Sequence, residues 1–175
     1  MAIGTHLPTD GHRLILGDVE DQPNCTIFRD VSKTDFTFDT PSNDSYQFGI
    51  GGTSYFAIGT TGIGYPTGTG EAKTQTGSKT ATVTTNYPCG VITMNNASLA
   101  AGAEATFQVT NSSVAATDTI VASIASGDTA GQHIVSVTAV AAGSFKLTLT
   151  NLTASTATTA AVVINYAVIK AVNDA

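Results

Sequence analysis

The chain has 175 residues, a formal net charge of −6, and 42% hydrophobic but only 11% charged residues. Globular domains average about 25% charged residues, so this surface does not suit a free cytosolic monomer; it suits a chain largely covered in an assembly. Seven scattered basic residues exclude nucleic-acid binding, which needs Lys and Arg to neutralise phosphates, and no apolar run is long enough to span a membrane.

Residues 1–45 hold eight of the thirteen acidic residues against Arg13, Arg29 and Lys33. The apolar groups are short: Leu14-Ile15-Leu16, Ile27-Phe28, Phe36 and Phe38, interrupted by Pro8, Pro23 and Pro41. No helical period is sustained. The pattern predicts an extended arm with short strands, whose apolar groups need a partner chain to cover them. The start of the chain lacks the charged-then-apolar order of a signal peptide.

Within residues 46–65, Tyr46, Phe48 and Ile50 alternate with polar or glycine positions, Gly51-Gly52-Thr53 is a turn signal, and a second apolar run follows at 55–58. This predicts a β-hairpin stem. A hairpin alone is marginal; three copies about an axis would bury Tyr46, Phe48 and Phe56. Residues 66–79 carry no large apolar side chain after Pro66 and read as a linker or a loosely paired surface segment.

From residue 80 the pattern is regular. Strands are expected at 80–85, 90–94, 105–110, 120–125, 133–141, 145–150 and 161–169, separated by Asn95-Asn96, Ala101-Gly102, Asn111-Ser112, Ser126-Gly127-Asp128, Ala142-Gly143 and Asn151. That spacing predicts an all-β fold: a C-terminal antiparallel β-sandwich, jelly-roll or Greek-key in style, over residues 80–175, after a stem and linker at 46–79 and the arm at 1–45. The last strand is apolar at every position but Asn165 and rich in β-branched residues, so it reads as a central strand covered on both faces. Part of it, with Tyr166, is assigned to a trimer interface.

No catalytic constellation is found. His6, His12 and His133 are unclustered, no nucleophile-elbow motif frames a serine, and Asp18-Val-Glu20-Asp21 lacks the spacing and glycine of a calcium loop. Gly49-Ile-Gly-Gly52 has no following Lys or helix, so it is not a phosphate loop. For glycoside hydrolysis, which needs two carboxylates about 5–10 Å apart in a cleft, the sandwich offers Glu104, Asp118 and Asp128. The expectation is a non-enzyme with no cofactor and no metal. A Cys25–Cys89 disulfide stays open; two free thiols are the simpler reading.

Several blocks in order carry a resemblance: Cys89-Gly-Val-Ile-Thr-Met-Asn-Asn-Ala-Ser-Leu-Ala-Ala-Gly-Ala-Glu104, Phe107-Gln-Val-Thr-Asn111, residues 127–131, Val140-Ala-Ala-Gly-Ser-Phe145, Thr150-Asn151-Leu152 and Val163-Ile-Asn-Tyr-Ala-Val-Ile-Lys170. Together, over roughly residues 80–172, they resemble a C-terminal β-domain of tailed-bacteriophage structural proteins, which is attached to head-decorating, head-fibre and tail-fibre proteins alike. The resemblance implies a non-enzymatic virion component, usually a homotrimer, assembled in the host cytoplasm. The partners expected are further copies of the chain and the major capsid protein or another virion protein. Leu14, Ile15, Leu16, Ile27, Phe28, Phe36 and Phe38 would anchor the arm on the capsid exterior. The alternative is a short tail fibre or tail appendage that recognises the host, with a surface receptor or glycan meeting the loops at 126–131 and 153–159. Those loops have almost no aromatic platform for a sugar.

Overall fold

The computed structural model describes residues 62–171 continuously and, before them, the strands at 13–15, 26–29, 36–39, 46–50 and 53–59. The described residues contain no helix. Fourteen strands are described: β1 (Arg13–Ile15), β2 (Thr26–Arg29), β3 (Phe36–Asp39), β4 (Tyr46–Ile50), β5 (Thr53–Gly59), β6 (Gly62–Gly64), β7 (Gly70–Thr74), β8 (Val83–Thr84), β9 (Cys89–Thr93), β10 (Glu104–Thr110), β11 (Thr119–Ser126), β12 (His133–Ala141), β13 (Ser144–Asn151) and β14 (Val163–Ile169). They fall into two compact units, Met1–Pro66 and Thr67–Ala175.

The first unit holds two small antiparallel sheets, β1-β2-β3 and β4-β5-β6. The short strands expected in the arm therefore pair with one another. Leu14, Ile27 and Phe38 stand in one register row across the first sheet.

The second unit is a sandwich of two four-stranded sheets, ordered β12-β13-β10-β8 and β11-β14-β9-β7. From β7 onward the chain changes sheet at every step except the β12–β13 hairpin. One consequence is that the edge strands pair parallel, β8 with β10 and β7 with β9, within an otherwise antiparallel fold. The antiparallel sandwich expected from the sequence is present, with these two parallel pairings at its edges. A parallel neighbour needs a crossover, and here the crossover passes through the opposite sheet.

Alternation places the core. In β10, Ala105, Phe107 and Val109 are buried while Glu104, Thr106 and Gln108 face water. Phe145, Leu147 and Leu149 of β13 and Ile164, Tyr166 and Val168 of β14 meet them from the paired and facing strands, with Ile92, Met94 and Val162 completing the cluster. Each fully buried Leu, Ile, Val or Phe contributes about 1.5–3 kcal/mol of transfer free energy.

One expectation is corrected. β14 lies inside its sheet, between β11 and β9, but only one of its faces is buried: Asn165 and Ile169 point outward and are exposed. Of the two readings of residues 66–79, linker or loosely paired surface segment, β7 fits the second: it forms a sheet edge, and the unit that holds the sandwich begins at Thr67. Polar side chains hold this segment. Gln75 Nε2 donates to the carbonyls of Lys79 (3.0 Å) and Ala81 (2.7 Å), and Gln75 Oε1 accepts from the Asn95 amide at 3.1 Å. Lys79 Nζ donates to the carbonyls of Asn95 (2.7 Å) and Ala160 (2.6 Å), and burial lowers its pKa.

Candidate interaction surface

The three-stranded sheet β4-β5-β6 presents an uncovered apolar face. Tyr46, Ile58 and Ile63 stand in one register row, and Phe48 pairs with Phe56 in the next along β4 and β5. Phe48 and Phe56 have ring centroids 5.7 Å apart, tilted at 47°, the offset geometry aromatic pairs favour. Phe48 is 59% exposed, Ile63 72%, and Phe56 and Ile58 40% each. The sequence arrives at this face by simple means. Residues two apart on a strand share a side, and the pairing aligns apolar positions of three strands on that side. A bulge between Phe48 and Gly49 then shifts the register before the turn.

Leu14 and Ile15 lie in β1, Ile27 and Phe28 in β2, Phe36 and Phe38 in β3; Leu16, His6, His12, Asp18, Glu20, Asp21 and Cys25 lie outside the described residues. Tyr166, assigned from the sequence to a trimer interface, is buried in its own sandwich. Its ring centroid is 5.4 Å from that of Phe145, its hydroxyl donates to the Tyr87 carbonyl at 3.1 Å, and it lies 3.2 Å from Thr85 Oγ1. Burial raises the phenol pKa, and only 4% of the residue stays exposed.

The three sandwich carboxylates have separate local partners. Glu104 is exposed at the start of β10, where Thr150 Oγ1 donates to it at 3.4 Å. Asp118 is buried. Its Oδ2 accepts from the Ala115 amide and from Lys170 Nζ, both at 2.7 Å, while its Oδ1 has no hydrogen-bond partner among the described residues. Burial raises the Asp118 pKa, but the Lys170 hydrogen bond, the Ala115 amide, the Lys170 charge and the Ala171 amide outweigh it, and the net shift is downward. Asp128 Oδ1 lies 2.5 Å from His133 Nδ1, joining the β11–β12 loop to the first residue of β12. His133 is buried and its Nε2 is unpartnered among the described residues. No group of three or more His, Cys, Asp or Glu able to hold a metal ion occurs among the described residues.

The outer face of β11-β14-β9-β7 carries a shallow open hollow of about 440 Å³, lined by Gly70, Glu71, Cys89, Gly90, Val91, Asn165 and Tyr166. The register row Glu71–Gly90–Tyr166 turns inward between two outward rows and forms its floor. Gly90 is required there: a Cβ would sit 2.3 Å from the Glu71 carbonyl oxygen and 3.0 Å from Tyr166 Cε1. Glu71 pairs with Lys73 at 2.7 Å. Cys89 is a free thiol whose Sγ donates to the Thr69 carbonyl, and burial raises its pKa, which makes it a poor nucleophile.

The loop at 153–159 is one of the two candidate binding loops. Asn151 ties it down, an anchor that in the sequence is indistinguishable from an ordinary turn residue. Its Nδ2 donates to the carbonyls of Leu99 (3.1 Å), Ala100 (3.0 Å) and Thr156 (2.9 Å), and its Oδ1 accepts from the amide (3.1 Å) and hydroxyl (2.8 Å) of Thr153.

Comparisons with family models, curated proteins and solved structures found no match to this chain.

Proposed function

We propose that this chain is a non-enzymatic structural protein of a tailed-bacteriophage particle: a homotrimeric capsid decoration or head-fibre protein, held on the capsid exterior through residues 1–45. The observation that carries the self-association is the exposed face of Phe48, Phe56, Ile58 and Ile63. Four large apolar side chains on one side of a three-stranded sheet are a standing cost in water. Covering a half-exposed Phe recovers about 1 kcal/mol, half of what full burial contributes, and a trimer would cover the faces of all three copies. The phage assignment rests on the sequence blocks at 89–170, and the low surface charge supports an assembled state.

The test is quantitative mass spectrometry of purified particles from cells carrying the gene, for the full chain and for a chain lacking residues 1–45. Copy numbers comparable with the major capsid protein, lost on truncation, support a decoration protein. Copies confined to a tail or a single vertex support the host-recognising appendage instead. Absence of the full chain from particles overturns the proposal.

A further inference from the structure

The two outer faces of the sandwich differ in kind. On the β12-β13-β10-β8 side, Glu104 and Lys146 are exposed, and the hydroxyls of Thr106, Thr148 and Thr138 form a chain with spacings of 2.8 and 3.1 Å. On the β11-β14-β9-β7 side, the outward positions of all four strands carry no acidic and no basic side chain. Val121 and Ile169 stand out from that face, 50% and 53% exposed.

We propose that this uncharged face is a docking surface for the same face of a second copy of the chain. Each chain carries a net charge of −6, so two copies repel wherever acidic groups meet. A face whose outward side chains are uncharged is where that repulsion is least. The ionic groups beside it, Glu71 of the hollow and Lys73, stand at the inward positions of β7 and are paired with each other at 2.7 Å, so a charged partner meets no free counter-ion there. The relief is also complementary to itself. Val121, Ala167, Cys89 and Gly70 stand in one register row, with Val121 at the β11 edge and Gly70, beside the hollow, at the β7 edge. A two-fold axis along the strands between β14 and β9 sets Val121 of each copy over Gly70 of the other, and one residue of each copy serves both roles, as an isologous contact requires. Sheets stack about 10 Å apart with strands about 4.8 Å apart, so the two copies of Asn165, on the β14 side of that axis, come near each other.

This contact rests on the reading above only in taking another copy as the partner; it lies on the other compact unit and is tested apart from the stem. The full-length chain with Phe48→Thr and Phe56→Thr has its stem face weakened. Its mass by sedimentation equilibrium is expected to be that of two chains. Adding Asn165→Glu, or Asn165→Lys, is expected to give one chain, because like charges then meet across the axis. Mixing the Glu and Lys forms in equal amounts is expected to restore the two-chain species, a recovery that misfolded protein cannot give. A single-chain mass before any change at Asn165, persistence of the two-chain species in both charged forms, or no recovery in the mixture overturns the proposal. The stem reading fails separately, if the two Phe substitutions leave the unsubstituted mass unchanged; the Asn165 series is then run in the unsubstituted chain with the same criteria.

Discussion

Replacing Asn151 by Ala removes a side chain with no exposed surface and five hydrogen-bond contacts. Two N–H groups are shared among three carbonyls, so four bonds are the most that can be fully made. At about 1 kcal/mol net for each, with more for a carbonyl left buried and less for one that reaches water, the loss is about 2–4 kcal/mol. With a urea dependence of about 1–3 kcal/mol per molar, the unfolding midpoint should fall by about 1–2 M. Asn151→Asp is the sharper variant. It keeps both acceptor contacts to Thr153 but turns a carboxylate toward the carbonyls of Leu99, Ala100 and Thr156, so it should cost at least as much as the Ala form. Gln108→Ala, exposed on β10, serves as the reference and should stay within about 0.5 kcal/mol of the parent. Urea unfolding followed by near-ultraviolet circular dichroism measures all three. If Asn151→Ala matches Gln108→Ala, the view that Asn151 anchors the 153–159 loop is wrong.

Gly90→Ala should cost about 1–3 kcal/mol, because the new methyl meets the Glu71 backbone rather than a side chain that can turn away; Gly64→Ala, with nothing within 4 Å, should cost far less in the same unfolding assay. The folded-state pKa of Asp118 lies below its unfolded value, so its contribution is fully present above about pH 4 and fades as pH falls through the folded-state value. The stability gap between the parent and Asp118→Asn should therefore be constant near neutrality and close on acidification below about pH 4. Urea midpoints taken across that range check it, and a gap independent of pH contradicts the assigned ionisation. Lys170 is 57% exposed on its side chain, so Lys170→Met should cost less than about 1 kcal/mol, again read from the urea midpoint.

Much of the sandwich was legible because its strands alternate cleanly. The strand at 133–141 was predicted with the bounds observed, and β10 and β13 bury the Phe, Leu and Val positions that alternation assigns to the core. β7 was missed for a physical reason: it has no large apolar side chain, and its neighbourhood is held by Gln75 and Lys79 bonding to carbonyls, which leaves no periodic trace. The outer face of β14 was misread because an uncharged, β-branched surface looks in sequence like a second buried face; exposure of Asn165, the one polar residue of the run, was the available sign. Tyr166 and Phe48 are equally aromatic in sequence, and only the fold separates a ring packed on Phe145 from one facing water. The β4-β5-β6 face was more legible: two apolar runs around Gly51-Gly52 predicted the β4–β5 hairpin, while β6 added Ile63 to its apolar side.

The most direct test of the self-associating account is the solution mass of the full-length chain, against 17.8 kDa for one copy, by sedimentation equilibrium with and without Phe48→Thr and Phe56→Thr. The account predicts a mass that is a multiple of three chains for the parent, with the three-fold association lost in the double variant while the urea midpoint of the sandwich is unchanged. A single-chain mass for the parent, or a mass that the two substitutions leave as it was, contradicts it.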